Sequence, residues 1–113
     1  MGRPQLSAFQ IDVRADGHGL LMVFGGELDM DAVPRLQGSL NGAIESTSGA
    51  VLVDLADVTF VDSSAISEFL KARQTLLDQG RVLRVTGMST IVARVFELTG
   101  LTDMFRGLDE AVR

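Results

Sequence analysis

A chain of 113 residues, 46% hydrophobic and 22% charged, has the length and composition of one globular domain, not of a disordered segment. Its 15 acidic and 10 basic residues give a net charge of −5, and it has no Trp or Tyr. Nucleic acid and anionic membrane surfaces are therefore excluded as partners, because they require a basic face or base-stacking aromatics; the absence of cysteine also excludes disulfides and thiolate ligands.

Met1–Leu6 is expected to be a flexible end. The opening MGRPQLSAFQIDV has no apolar leader-like core, and no stretch approaches the roughly 18 apolar residues of a membrane helix. A cytoplasmic protein without membrane insertion is expected. In AFQIDVRA, residues 8–15, Phe9, Ile11 and Val13 alternate with polar residues, as in a half-buried strand. Asp16-Gly17-His18-Gly19 has turn composition, and LLMVFG, residues 20–25, supplies the second strand of an antiparallel hairpin. Gly26-Glu27-Leu28-Asp29 closes it.

Val33, Leu36, Leu40 and Ile44 are spaced 3, 4 and 4, which makes one helical face. Asp29 or Asp31 suits the start of that helix and Pro34 its first turn, whereas Gly38 and Gly42 weaken its interior. AVLVDL, residues 50–55, is a continuous apolar run, a pattern expected of a strand covered on both faces. Ile66, Phe69, Leu70, Leu76 and Leu77 then mark a second helix ending at Gly80. RVLRVT, residues 81–86, reads as a strand. STIVARVFEL, residues 89–98, reads as a helix capped by Ser89, with Ile91, Val92, Val95 and Phe96 on one face and Gly100 at its end. Residues 101–113 suggest a strand turn and a helix stub. The order β-β-α-β-α-β-α implies an α/β sheet, parallel after its first hairpin.

Catalytic and metal signatures are missing from the sequence. His18 is the one histidine and falls in a turn; no nucleophile elbow, phosphate-binding glycine loop or calcium-loop spacing is present. The one lysine, Lys71, lies in a helix, and no paired acids follow the first strand, which disfavours an aspartate phosphoreceiver despite Asp54 at the end of an apolar run. The chain is read as a non-enzyme with no cofactor and no metal. Asp62-Ser63-Ser64-Ala65 stands out, because it joins the apolar residues Phe60 and Val61 directly to a helix. Such residues cap helices. A serine at a helix N-terminus also faces unpaired N–H groups and the positive end of the helix dipole, which accommodate a phosphate. The residues alone leave both readings open.

Three motifs in order resemble the STAS domain family, specifically the bacterial anti-sigma factor antagonists: Gly26-Glu27-Leu28-Asp29, then VLVDLADVTFVDSSA with Asp54, Phe60, Asp62, Ser63 and Ser64 in register, then VARVFELTGL ending Thr99-Gly100-Leu101. The resemblance implies a single STAS domain over residues 1–113, with a mixed, mostly parallel four- to five-stranded sheet and helices mainly on one face. It implies a monomer that binds an anti-sigma factor with serine kinase activity when unphosphorylated, and so releases a sigma factor. Phosphorylation on Ser63 ends that binding, and a phosphatase acting on phospho-Ser63 restores it. The implied partner-binding residues are Asp29, Asp62, Ser63, Ser64 and Ala65, with Ser64 helping to cap the helix. Ala65 stands where the family has glycine, so a STAS scaffold or adaptor subunit without a phosphoswitch, in stress signalling or beside a transporter, is the alternative.

Overall fold

A computed structural model describes residues 9–15, 17 and 19–102. The expectations for Met1–Leu6, Asp16, His18 and the segment from residue 103 onward lie outside the described residues. Four strands, β1 (Phe9–Ala15), β2 (Gly19–Leu28), β3 (Ala50–Val61) and β4 (Leu83–Met88), form one sheet in the order β1-β2-β3-β4. β1 pairs antiparallel with β2, and the remaining pairs are parallel. Helices α1 (Val33–Ser46), α2 (Ser63–Asp78) and α3 (Thr90–Thr99) follow β2, β3 and β4, with a 3-10 turn at Met30–Ala32 ahead of α1. The expected order of elements is found. Gly17 takes a positive φ of 67° in the hairpin turn, a conformation that glycine adopts without a Cβ clash.

One face of the sheet carries the core. Met22, Phe24, Leu28, Val51, Val53, Leu55, Leu83 and Val85 are buried there in a single cluster with Leu36, Leu40, Ile66, Phe69, Leu76, Val92 and Phe96 from the helices. Phe24 is fully buried at its centre. Its ring lies parallel to Phe9 with centroids 6.3 Å apart and meets Phe69 edge-on at 5.5 Å, both favourable aromatic geometries. The expected two-sided cover of residues 50–55 is not what forms: Val51, Val53 and Leu55 are buried, while Leu52 and Asp54 on the opposite face are only half-buried. The helices' buried residues cluster with a single face, so the apolar run reflects a strong inner face and one partly covered leucine outside it.

Several boundaries move. β2 runs to Leu28 and β3 to Val61 because the two strands stay paired beyond the apolar runs, as far as Leu28 opposite Val61. β4 begins at Leu83 instead of residue 81. Arg81 stays outside the strand and bonds to the end of α1 instead. Its guanidinium donates to the carbonyls of Ile44 (3.2 Å), Thr47 (2.6 Å) and Gly49 (2.9 Å). It thereby satisfies carbonyls at the C-terminal end of α1 and just beyond it, where a cation is favoured. Along β1, burial falls toward the hairpin: Phe9 is buried, Ile11 half-buried and Val13 exposed. In α3, Val92 and Phe96 are buried and Val95 is half-buried, but Ile91 faces outward.

Gly38 and Gly42 sit on the exposed side of α1, and a Cβ at either would meet nothing within 4 Å. Replacing glycine by alanine inside an exposed helix gains up to about 1 kcal/mol per site. Gly38→Ala and Gly42→Ala together should raise the melting temperature by roughly 5–10 °C, measured by circular dichroism; no rise would contradict the placement of these residues in the helix interior.

Candidate functional site

The C-terminal ends of β2 and β3 are built alike. Leu28 and Val61 are register partners, and each is followed by an aspartate in extended conformation that turns the chain into a helical element. Asp29 caps the 3-10 turn, its carboxylate accepting from Ala32 N–H at 3.1 Å. Asp62 caps α2, its Oδ1 accepting from Ser64 N–H at 3.0 Å and from Ala65 N–H at 3.2 Å. A backbone bond from Asp62 N–H to Leu28 carbonyl, 3.2 Å, holds the two ends together. Two carboxylates fixed to the start of helical elements thus stand at neighbouring strand ends.

The cap of α2 is therefore Asp62 and not Ser64. The sheet decides this: strand pairing ends at Val61, so Asp62 is the one extended residue left between strand and helix, with its side chain free to reach the helix N–H groups. Ser63 becomes the first helical residue and is exposed; Ser64 is half-buried. Ala65 is fully buried within α2, so its side chain belongs to the core below the surface. Ala65 occupies a helical position, where alanine is the most favourable residue.

Beside these aspartates lies an open depression of about 600 Å³ lined by Glu27, Asp29, Met30, Asp31, Thr59, Phe60 and Asp62. Irregularities in the pairing of β2 with β3 create it. From Val58 to Phe60 the β3 strand advances two residues while β2 advances one, from Gly26 to Glu27. Gly26 takes a φ of 85° at that point, a conformation strained for other residues. With Val58 and Val61 both buried, Thr59 and Phe60 both face outward. Phe60 is 45% and Met30 68% exposed.

The resemblance assigned Asp29 and Asp62 to one partner-binding surface but did not include Phe60, Met30, Glu27 or Asp31, which line the same depression. The available signal was the step of three between Leu55, Val58 and Val61, which departs from strand alternation. No group of three or more His, Cys, Asp or Glu among the described residues is arranged to hold a metal ion. No helix among the described residues is long and apolar enough to cross a membrane.

A protein of Staphylococcus aureus (strain NCTC 8325 / PS 47) named anti-sigma-B factor antagonist is 32% identical over 80 residues, spanning 71% of this chain and 74% of that protein. An anti-sigma factor antagonist from Mycobacterium paratuberculosis has a similar fold, with a TM-score of 0.75 at 22% identity over 86% of this chain and 82% of its own. The anti-sigma factor antagonist SpoIIAA in its unphosphorylated form gives 0.68 at 25% identity over 83% and 82% of the two chains. The phosphorylated form of the Bacillus protein gives 0.65 at 21% over 94% and 100%. The STAS domain profile matches residues 10–113: the chain belongs to the STAS domain family.

Proposed function

We propose that this protein is an anti-sigma factor antagonist that works as a phosphoswitch. Its unphosphorylated surface around Ser63 binds an anti-sigma factor that is also a serine kinase, and this frees a sigma factor. The kinase partner supplies ATP and transfers the γ-phosphoryl group to the Ser63 hydroxyl; a phosphatase removes it. Asp29, Asp62, Ser63 and Ser64 form the contact surface, and Ala65 supports it from below.

The observation that carries this reading is the position of Ser63. Its side chain is exposed on the first turn of α2, directly after the capping Asp62, where a helix tolerates a dianion without unfolding. The names of the S. aureus and M. paratuberculosis relatives, and the existence of SpoIIAA in both phosphorylation states, support the same role. A phosphate adds about −1.5 to −2 charges at neutral pH. Beside Asp62, under a docked partner, that charge loses its water and meets a like charge. Such a juxtaposition costs several kcal/mol, and each ~1.4 kcal/mol is a tenfold loss of affinity.

The test is phosphorylation by the cognate kinase with ATP, read by intact mass. Wild type and Ser64→Ala should each gain one phosphate, and Ser63→Ala none. Labelling of Ser63→Ala to the wild-type level would overturn the acceptor assignment.

A further inference from the structure

We infer that the depression beside Ser63 is the part of the docking surface that supplies affinity, and that its occupant is a protein segment presenting arginine next to an aliphatic side chain. This deepens the proposed function, resting on the reading that this end of the sheet meets a protein partner, and it names the chemistry of that partner. Four of the seven lining residues, Glu27, Asp29, Asp31 and Asp62, are acidic and none is basic, a stronger bias than the 15 acids to 10 bases of the whole chain. A concave patch of one sign steers an oppositely charged partner toward it.

The apolar component argues for a protein segment. Of the six large hydrophobic side chains that are exposed among the described residues, Met30 and Phe60 both line this depression. The strand irregularity brings Thr59 out beside Phe60; an unbroken alternation from Val61 would have put Thr59 in the core. Aromatic and methionine side chains at the centre of a contact patch, ringed by polar groups, are the composition of an interface anchor. Methionine adapts its shape to the group it meets.

Arginine fits this combination better than lysine. Its planar guanidinium pairs two-pronged with a carboxylate, stacks on an aromatic face and gives up its water more readily than an ammonium does. Asp29 and Asp62 are held by their own capping bonds, so each offers a carboxylate already fixed in place. Docking affinity and switching are thereby assigned to different residues: Phe60, Met30 and the acids hold the partner, and Ser63 at their border reports its own phosphorylation.

The experiment is an amide chemical-shift titration with the acetylated, amidated peptide Arg-Leu-Arg-Leu, and with Glu-Leu-Glu-Leu as its counterpart. The basic peptide should shift the amides of Glu27–Asp31 and Thr59–Asp62 saturably, and the acidic peptide should not. Phe60→Ala, whose fold is verified by thermal melting, should weaken binding roughly fivefold or more, and raising salt should weaken it further. Leu98→Ala, which removes an exposed apolar side chain that does not line the depression, should bind like wild type. Scattered shifts, equal binding of the two peptides, or unchanged affinity in Phe60→Ala would overturn the inference. With no kinase and no ATP present, the result does not depend on whether Ser63 is an acceptor, so failure here and failure of the phosphoswitch are distinguishable.

Discussion

Phe24→Ala is expected to destabilise the protein by roughly 3–5 kcal/mol. Phe24 is fully buried, stacked on Phe9 and met edge-on by Phe69, so its truncation removes contacts to β1 and α2 at once and leaves a void between sheet and helix. Arg35 adds to the cost indirectly, because it lies 4.6 Å from the centroid of Phe9 and donates to the Phe9 carbonyl; a loosened Phe9 ring loosens that contact too. Domains of this size hold only about 5–15 kcal/mol of net stability, so the variant should be marginal. Urea unfolding checks this: the midpoint should fall steeply with an unchanged slope. A loss under about 1 kcal/mol would mean that Phe24 is not the centre of the core.

Ser63→Asp is expected to weaken binding of the anti-sigma partner about tenfold or more while leaving stability unchanged or slightly higher. The two effects have separate causes. An acid in the first turn of a helix interacts favourably with the free N–H groups and the helix dipole, and Ser63 is exposed, so no packing is lost. At the interface the same carboxylate stands next to Asp62 and is desolvated on docking, which carries a penalty. Carboxylate has less charge than phosphate, so its effect is the smaller one. Thermal melts and titration calorimetry on one preparation read both. Binding unchanged from wild type would sink the charge mechanism, and a drop in melting temperature would show a structural part for the serine.

Capping chemistry made much of the fold legible in the sequence. Ser89 accepts from Val92 N–H at 3.2 Å, and Gly100 ends α3 with a φ of 74°; residue type alone marks both. The stripe Leu36, Leu40 and Ile44 locates α1 for the same reason: its period is that of a helix packed on one side. Features that depend on pairing between distant segments were not legible. The choice of Asp62 over Ser64 as cap follows from Val61 being the last paired residue of β3, which needs the register with Leu28. The exposure of Thr59 and Phe60 together needs the irregularity against Gly26.

Two polar residues were also hidden. Glu68 lies on the buried side of α2, where Gln37 Nε2 (3.2 Å) and Lys71 Nζ (3.2 Å) donate to it. These partners make its burial tolerable, yet nothing in its neighbours in sequence announces a contact with α1. Arg81 looked like the start of a strand and instead ties the end of α1 to the segment leading into β4. In the candidate site, the sequence marked Ser63 and two aspartates; the apolar half of the surface came from the sheet.

The most direct test of the phosphoswitch compares two forms of one protein. Unphosphorylated chain and chain carrying one phosphate on Ser63 are titrated into the cognate anti-sigma factor by calorimetry at fixed ionic strength. The unphosphorylated form should bind, and the phosphorylated form should bind at least a hundredfold more weakly, corresponding to about 2.8 kcal/mol. Equal affinities for the two forms would contradict the switch.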